Sequence, residues 1–478
     1  MNETLINIGL AATQILFTFA LGFYLITCLQ WFSYKFERVL FHFTRPLWHV
    51  FFLIVPIVLF YVAERFFWIY FYFALVPSLA LWHKKLDKKL VFTPRVKRFF
   101  VILALAVIAS YAVYIATQYR VNLGVVLPLV VSFALSFLLE KAKFKAYENS
   151  ARKKLASMPE LKIIMITASF GKTSIKNFLF ELLKNDFACR KTPRSVNTLA
   201  GLIQDVNNEL AVGTQIYIAE AGARLKGDIA QITEFLNPQI AIVGEIGTQH
   251  IEYFKTLDNI RATKLEALQS ERLQMAFLHS STKKEPSQNL EIYDESLKDI
   301  NANLDGISFM LDGKSYASPL LGKFNATNLA VCIKVARYLK MSDEAVNRAL
   351  SKMKNVEHRL SKIEAGGKLI IDDSFNGNFS GMSASYELVS TYAGRKVLLT
   401  PGIVESDAEQ NANLAKVINE IFDLVIITSS LNAEVLLKHI VKPKIIILKD
   451  KNKMQEILAQ NTHAGDLILF SNDAPSFI

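Results

Sequence analysis

A long stretch without charge near the N-terminus constrains this chain more than any other feature. No charged side chain occurs between residues 4 and 34, and four further uncharged stretches follow within the first 140 residues, at 46–63, 66–82, 99–119 and 121–139. A helix needs about 20 apolar residues to cross a hydrocarbon core of roughly 30 Å. We therefore predict an N-terminal bundle of about five transmembrane α-helices, because five buried core helices in succession would need a far larger soluble protein around them.

The basic residues are distributed unevenly along the chain. Residues 1–150 contain 15 Lys and Arg against 6 Asp and Glu, whereas the remaining residues contain 39 against 37. The basic residues near the five stretches fall in alternate connections, and the other connections hold only Arg65 and Arg120. By the positive-inside rule, this asymmetry places the N-terminus outside and residues 140 onward in the cytoplasm. It also attributes the net charge of +11 to membrane topology, so membrane lipid is a predicted partner and nucleic acid is not.

Beyond residue 161 the pattern changes to short β-rich runs that alternate with helical-period segments. Such alternation predicts mostly parallel sheets covered by helices. We predict strands at residues 163–167, 216–220, 240–243, 275–279, 369–372, 397–399, 424–428, 445–448 and 467–470. Residues 313–322, which contain two glycines and a proline, are the expected hinge. The predicted domains are 1–140 (transmembrane), 141–161 (basic cytoplasmic linker), 162–320 (central α/β domain) and 321–478 (C-terminal α/β domain).

The first of these strands leads into a phosphate-binding motif. Residues 167–174 read TASFGKTS, in which Gly171-Lys172-Thr173 forms the end of a P-loop. In such loops the backbone N–H groups at a helix start cradle phosphates, the lysine neutralises them and the threonine hydroxyl binds Mg²⁺. A Gly-Lys-Thr sequence after a strand also arises by chance, so this motif gains its weight from the blocks that follow it.

The segment at 167–174 resembles the ATP-binding loop of the Mur ligases, with Ala168 in place of a glycine. Five more blocks follow in the family's order and resemble its MurF branch, which adds D-alanyl-D-alanine. In one of them Phe324 occupies the position of a usual histidine. The blocks are EAGAR at 220–224 with GDI at 227–229, HIE at 250–252 with KLE at 264–266, GKFNATN at 322–328, HR at 358–359 and DDSFNGN at 372–378.

This resemblance implies a fold and a reaction. The fold would be an α/β P-loop ATP-binding domain followed by a C-terminal α/β Rossmann-like domain. The reaction would be ATP-dependent amide-bond formation that adds D-alanyl-D-alanine to UDP-N-acetylmuramoyl-tripeptide through an acyl phosphate, in peptidoglycan precursor synthesis. A carboxylate is a poor electrophile, and phosphoryl transfer from ATP with Mg²⁺ activates it towards an amine. The implied cofactors are ATP and two Mg²⁺ ions, and the implied location is a bacterial inner (cytoplasmic) membrane.

The resemblance also implies a catalytic and metal-binding set. Lys172, His250 and Lys264 would be catalytic, and the family carries a carbamylated lysine at the position of Lys264. Magnesium would be bound by Thr173, Glu220, His250 and Lys264. Considered without the resemblance, Glu220 could be a solvated carboxylate at a strand end, His250 a structural histidine and Lys264 a solvated helical lysine.

The remaining implied site residues bind the nucleotide and the peptide substrate. The implied ATP-binding residues are Thr167, Ser169, Gly171, Lys172, Thr173, Ser174, Asn325, Asn328, Arg359 and Asp373. The implied substrate residues are Asn197, Thr198, Asn376 and Asn378. Two structural alternatives stay open, since Asn325 could be a helix N-cap and the Asp372-Asp373 pair could form a simple turn.

The resemblance leaves the first 140 residues unmatched. Mur ligases begin with a soluble domain that binds the uridine end of the substrate, and only residues 140–161 separate the fifth predicted span from the first predicted strand here. We expect the membrane bundle to stand in place of that domain, beside other cell-wall synthesis enzymes. One alternative is a lipid-linked acceptor held by the bundle. Another is a membrane scaffold or transporter whose α/β part only binds nucleotide, which the scarcity of polar residues within the stretches disfavours.

Overall fold

The computed structural model of the chain describes residues 3–32, 34, 36, 39, 47–86, 88–117, 124–193, 196–248, 251–375, 377–404, 406–448 and 450–472. The chain divides into two compact units, Met1–Asn149 and Ser150–Ile478. Hydrophobic cores lie within each unit.

The first unit consists of helices that pack through aromatic side chains. Phe17, Tyr24, Phe67, Phe71 and Phe99 are at most 2% exposed and form its centre. Its α-helices are Glu3–Trp31, Leu47–His49, Val55–Ala63, Phe67–Tyr70, Val76–Lys84, Pro94–Thr117 and Val126–Ala156, with π-helical turns at Val50–Ile54 and Phe71–Leu75 and a 3₁₀ turn at Glu64–Phe66.

Residues 47–84 fold back on themselves as a helical hairpin. The ring of Trp48, near the start of this segment, lies 5.4 Å from the ring of Trp82, near its end. Phe52 lies at the same distance from Trp82, and Trp31 joins the cluster with its ring 6.4 Å from that of Trp48. The chain therefore reverses at the 3₁₀ turn Glu64–Phe66, where the sequence carries charge.

Two helices among the described residues are long and apolar enough to cross a membrane, Ile6–Trp31 and Pro94–Ala116. The prediction of about five such helices is therefore wrong. The apolar helical stretch Leu47–Ala63 covers about 25 Å, less than a hydrocarbon core of roughly 30 Å, and its partner in the hairpin is similarly short. Val126–Ala156 is long, but charge begins at Glu140, so its uncharged part covers only about 21 Å.

The second unit begins with a six-stranded parallel sheet whose strand order is β2-β3-β1-β4-β5-β6. Its central strands are buried along nearly their whole length because helices cover both faces. β1 and β3 are neighbours, with Ile166 opposite Glu220, so their carboxyl ends meet at one edge. The strands are β1 Lys162–Thr167, β2 Cys189–Lys191, β3 Ile216–Glu220, β4 Ile240–Val243, β5 Met275–Leu278 and β6 Leu290–Ile292. The accompanying helices are Lys172–Leu183, Leu199–Glu209, Asp228–Leu236, Ile251–Phe254, Leu257–Leu265, Phe324–Tyr338 and Asp343–Leu350.

Two further sheets complete the second unit. A three-stranded antiparallel sheet contains β7 Leu297–Asn303, β8 Gly306–Leu311 and β9 Lys314–Ser318. The last sheet has the order β10-β11-β15-β12-β13-β14, and all of its pairs are parallel except β10 with β11. Its strands are β10 Ser361–Ala365, β11 Lys368–Asp373, β12 Lys396–Thr400, β13 Leu424–Ile427, β14 Lys444–Ile447 and β15 Leu467–Ser471. Its helices are Phe379–Ser390, Ala408–Ile421, Ala433–His439 and Met454–Asn461.

The predicted α/β architecture is confirmed, with differences in detail. Gly313, the first residue of the expected hinge, lies in the tight turn between β8 and β9 with φ of 74°, a conformation that glycine adopts without strain. The hydrophobic core of the first sheet also continues past residue 320. Helix Phe324–Tyr338 belongs to it, and Met353 is its last member along the chain.

Candidate active site

The loop after β1 takes its shape from Gly171. β1 ends at Thr167 and the next helix begins at Lys172. Gly171 caps this helix with φ of 78°, and a Cβ added there would lie 2.5 Å from Oδ1 of Asn328. Only glycine therefore fits both the conformation and the space. The helix start that it forms leaves backbone N–H groups available at the carboxyl edge of the sheet, which is a favourable position for phosphate.

Contacts with the loop after β4 hold the phosphate-binding loop in place. Ser169 donates its backbone N–H to the carbonyl of Glu245 at 2.8 Å and its hydroxyl to the carbonyl of Gly247 at 3.1 Å. Ala168, which replaces a family glycine, lies opposite Gly244, where an added Cβ would be 2.9 Å from the alanine Cβ. The extra methyl group is accommodated because its neighbour has no side chain.

Glu220 is the centre of a buried polar cluster at the end of β3. Its Oε2 accepts a hydrogen bond from Thr173 Oγ1 at 3.1 Å and lies 3.0 Å from Lys176 Nζ, while Oε1 accepts from Asn197 Nδ2 at 3.3 Å. Glu220 is only 2% exposed, so the alternative of a solvated strand-end carboxylate is wrong. A carboxylate beside a hydroxyl group supplies the oxygen ligands that Mg²⁺ prefers.

Lys172 lies folded over its own loop. Its Nζ donates to the carbonyls of Ala168 at 2.7 Å and Ser169 at 3.1 Å. Burial lowers the pKa of Lys172 to about 8, while the charge of Glu220 opposes this shift and that of Arg359 adds to it. The loop thus holds a cation at the place where a phosphate would need one.

Lys264 lies in the last turn of the helix Leu257–Leu265 and is buried, with 4% of the residue exposed. Burial, aided by the nearby charge of Lys172, lowers its pKa to about 7, although the charges of Asp228, Glu266 and Glu220 oppose this shift. The alternative of a solvated helical lysine is therefore wrong. A substantial fraction of this amine is neutral at physiological pH.

Arg359 brings a further cation to the site from the start of the last sheet. Burial lowers the pKa of its guanidinium, and the charges of Asp373 and Glu220 oppose that shift. The guanidinium stacks over the ring of Phe375, with 4.8 Å to the ring centroid. Burial also raises the pKa of Asp373 to about 6, although a hydrogen bond from Ser385 and the charge of Arg359 oppose it.

Asp372 is the buried member of the predicted aspartate pair. It is 1% exposed, and its Oδ2 lies 2.7 Å from His358 Nδ1. The hydroxyl and backbone N–H of Ser374 both donate to its Oδ1. Both aspartates belong to β11, and Asp372 is held by this network of contacts. The alternative of a simple turn therefore does not describe the pair.

Several predicted residues have structural contacts of their own. Thr198 and Asn378 are helix N-caps that accept from the backbone N–H groups of Gly201 at 3.3 Å and Gly381 at 3.0 Å. Asn325 is not an N-cap, because its amide donates to the carbonyl of Leu321 and accepts from Asn328 at 2.9 Å. His250 and Asn376 lie outside the described residues.

The residues present fit a magnesium nucleotide. Thr167 Oγ1 is buried without a hydrogen-bond partner in the described part of the chain, at the point where β1 meets the loop. Within that same part, no group of three or more His, Cys, Asp and Glu side chains could hold a metal alone. A metal at Glu220 and Thr173 would therefore share its coordination with phosphate oxygens and water, as Mg²⁺ commonly does.

Lys176 is the residue that the sequence interpretation missed. Its side chain is 1% exposed and also donates to the carbonyl of Pro193 at 3.3 Å. The available signal was its spacing, since residue 176 lies one turn after Lys172 and shares its helix face. A second lysine on the buried face of an apolar helix requires a buried anion, and Glu220 provides one.

Comparison with known proteins agrees with this geometry. The model of the Mur ligase middle domain matches residues 166–336. The chain is 27% identical over 333 residues to the UDP-N-acetylmuramoyl-tripeptide–D-alanyl-D-alanine ligase of Bacillus subtilis, which covers 65% of this chain and 72% of the relative. It is 26% identical over 274 residues to the ligase of the same name from Borreliella burgdorferi, with 53% of this chain and 54% of the relative covered. The chain thus spans little more than half the length of the second relative.

Solved structures give the same result. A MurF ligase from Thermotoga maritima in complex with ADP has a TM-score of 0.61 at 27% identity, covering 69% of this chain and 80% of that one. A MurF structure from Acinetobacter baumannii, at 21% identity and a TM-score of 0.61, covers 69% and 77% and shares the fold. This chain is therefore similar to the Mur ligase middle domain over residues 166–336, and its similarity to the MurF ligases named above covers 65% of the chain in sequence and 69% in structure.

Proposed function

We propose that this chain is an ATP- and Mg²⁺-dependent ligase that adds D-alanyl-D-alanine to UDP-N-acetylmuramoyl-tripeptide in peptidoglycan precursor synthesis. The observation that carries the proposal is the convergence of Lys172, Glu220, Lys264 and Arg359 at the carboxyl edge of a parallel sheet, where ligand sites of such sheets form. The names of the MurF relatives support the same reaction.

The reaction proceeds in two displacements. The terminal carboxylate of the tripeptide attacks the γ-phosphorus of ATP, the bond to ADP breaks, and an acyl phosphate forms. The amine of D-alanyl-D-alanine then attacks the acyl carbon, releases phosphate and loses its proton as the amide forms. Lys172 and Arg359 neutralise charge on the transferring phosphoryl group, which is the main demand of such a step.

Glu220 and Thr173 would hold a magnesium ion, with His250 and Lys264 as the further ligands that we propose. The ion would shield phosphate oxygens and help to align them. Lys176 and Asn197 keep the Glu220 carboxylate oriented through the contacts at 3.0 Å and 3.3 Å. These neighbours restrict the carboxylate to one position before any ligand arrives.

Lys264 is proposed to react with carbon dioxide. Its neutral amine attacks the carbon of CO₂, and loss of one proton leaves a carbamate anion. Burial favours the neutral amine by lowering the pKa to about 7. The product would turn one cation into an anion beside Lys172, which relieves the repulsion between two buried positive charges.

The nucleotide and peptide contacts are proposed for the remaining site residues. Thr167, Ser169, Gly171 and Ser174 would line the phosphates. Asn325, Asn328, Arg359 and Asp373 would contact the rest of the nucleotide, with Asn328 already lying against Gly171. Asn197, Thr198, Asn376 and Asn378 would face the peptide. Thr198 and Asn378 would do so from helix starts.

We further propose that the first unit attaches the enzyme to a bacterial inner membrane, with the N-terminus outside and the catalytic unit in the cytoplasm. Ile6–Trp31 and Pro94–Ala116 would each cross. The hairpin at 47–84 begins and ends on the same side of the membrane, whether or not its two helices cross the bilayer. Cytoplasmic catalysis then needs one more crossing. We assign it to the start of Val126–Ala156, whose uncharged part is short, so the bilayer would thin around it or the lysines after Glu140 would extend to the interface. Wall-synthesis enzymes at that membrane would be its neighbours.

The decisive experiment is an assay of ADP and amide formation by the purified full chain. With UDP-N-acetylmuramoyl-tripeptide, D-alanyl-D-alanine, ATP and Mg²⁺, we expect ADP, phosphate and amide in equal amounts. Absence of ADP release with every muramoyl peptide would overturn the ligase proposal. The alternative, a lipid-linked acceptor, predicts turnover only when the peptide is supplied in lipid-linked form with detergent or bilayer present.

A further inference from the structure

A groove of about 700 Å³ opens on one side of the first unit. The helix Glu3–Trp31 forms one wall, and the second half of the 47–84 hairpin forms the other. Its lining is apolar except for Tyr72 and His83. The lining includes Phe19, Phe23, Phe71, Leu79, Phe92 and Phe100.

Aromatic contacts give the groove fixed walls, yet it is open along its side. The ring of Phe100 lies 6.2 Å from Phe19 and 6.0 Å from Phe92. Leu16 and Phe92 nevertheless remain 49% and 56% exposed. An open apolar groove of this size in water would be a site of association, whereas in a bilayer it would be filled by hydrocarbon.

One end of the groove is strongly basic. Residues 84–98 contain seven Lys and Arg, and their one acid, Asp87, lies outside the described residues. Lys84 and Lys85 directly follow the lining residue His83, while Lys88 and Lys89 come shortly before Phe92. All four lysines are exposed.

The basic loop is fixed against the end of the first helix. The side-chain amide of Gln30 donates to the carbonyl of Val91 and accepts from its backbone N–H, both at 2.8 Å. The backbone N–H of Leu90 donates to His83 Nε2 at 3.1 Å. The charged end therefore keeps a defined position relative to the apolar walls.

We infer that this groove binds one phospholipid whose headgroup carries a net negative charge, with an acyl chain along the phenylalanine walls and the phosphate at the lysines. Charge complementarity decides between occupants, because a hydrocarbon chain alone would not account for the basic end and a free anion would not use the apolar walls. The inference rests on the proposed membrane placement and not on the ligase reaction.

The test is native mass spectrometry of the purified full chain, titrated in detergent with phosphatidylglycerol or phosphatidylcholine. We expect one phosphatidylglycerol to bind in preference to phosphatidylcholine. Ala80→Phe, which fills the groove, should abolish that site. Lys84→Gln with Lys85→Gln and Lys88→Gln should weaken it on the order of 100-fold, since each lysine near a phosphate is worth roughly a fivefold change.

Matched controls separate this site from general lipid adhesion. Lys141→Gln with Lys143→Gln and Lys145→Gln removes the same charge elsewhere, and Ala109→Phe adds the same ring to an exposed helix face outside the groove. Both should bind as the parent does. Equal binding of the two lipids, equal loss in the controls, displacement by free glycerol phosphate, or a retained molecule of another class would each overturn the inference. Ligase turnover with soluble substrate is scored separately, so failure of one proposal does not mimic failure of the other.

Discussion

The two units of this molecule use charge and apolar surface in opposite ways. In the first, large apolar side chains face outward, as with Phe73 at 75% and Ile115 at 72% exposure, and charges gather at the ends of helices. In the second, the central strands are mostly apolar, and the half-buried Lys172 lies with the buried Lys176, Glu220 and Lys264 at one sheet edge. The surface of the first unit determines its environment, and the interior of the second determines its chemistry.

The strongest test of this contrast removes one of the charges at the sheet edge of the second unit. We expect Lys172→Ala to reduce ADP release by about 10³-fold or more, because charge neutralisation dominates phosphoryl transfer. Circular dichroism should show the fold unchanged. Lys184→Ala removes an exposed lysine that follows the same helix and should leave the rate as it is. Retained turnover in Lys172→Ala would refute the phosphate role.

The matching test adds a charge to the outside of the first unit. Leu105→Lys places a cation on the exposed face of Pro94–Thr117, which should cost about 3 kcal/mol of insertion free energy. The fraction of protein that resists alkaline extraction from membranes should fall. Val212→Lys, at an 87% exposed position of the second unit, should have no effect. Equal behaviour of the two variants would argue against a bilayer around this helix.

A chemical rescue sharpens the role of Lys264. Lys264→Ala should lower the rate about 10- to 100-fold, the usual cost of disturbing a residue that supports a metal. Added formate or acetate should restore part of the activity if a carbamate is the working group. Lys172→Ala should show no such rescue, because a small anion cannot replace a cation. Indifference of Lys264→Ala to carboxylates would count against the carbamate.

Asp373 gives a pH-dependent stability prediction. Burial raises its pKa from 3.8 to about 6, so the folded state binds this proton more tightly than the unfolded chain. Protonation of Asp373 therefore stabilises the folded state fully below pH 3.8, and this contribution is lost as the pH rises through 6. Between pH 5 and pH 8, the parent should therefore lose a few degrees more of Tm than Asp373→Asn. Parallel Tm curves would show that folding does not raise the pKa of this carboxyl group.

The smallest expected effect separates a helix cap from a substrate contact. Asn378→Ala should cost about 1 kcal/mol of stability through loss of the cap on Phe379–Ser390. Asn378→Ser retains a cap and should recover that stability. If the amide also contacts the peptide, both variants should raise KM for the muramoyl substrate. An unchanged KM in both would leave Asn378 as a cap alone.

Much of the second unit was predictable because its strands are continuous apolar runs bounded by polar segments. β1, β3 and β4 match the prediction to within a residue. The antiparallel sheet β7–β9 was not predicted because polar residues dominate β7 and only every second position of β8 is fully buried. Sequence pattern detects hydrophobic burial well and detects strands with one solvated face poorly.

The site residues that belong to a local sequence motif were predictable. Those that come together only through the strand order of the sheet were not. Gly171 and Lys172 follow a strand, so their position needs no tertiary information. The pairing of Lys176 with Glu220 depends on β1 and β3 being neighbours, which no local pattern specifies. The helix count in the first unit failed for a related reason. Composition marks an apolar stretch, whereas the hairpin turn and the π-helical turns determine how long each helix is.

The tryptophan cluster at the end of the hairpin provides an intrinsic fluorescence probe. All four tryptophans of the chain occur in the first unit, and Trp31, Trp48 and Trp82 lie together. Fluorescence excited at the red edge of the tryptophan absorption band, where tyrosine does not absorb, therefore originates from that unit alone. A change in bilayer composition should alter this fluorescence. Ligands that bind only at the ATP-binding edge should leave it unchanged and serve as the control. Tryptophan fluorescence can thus follow the first unit without an attached dye.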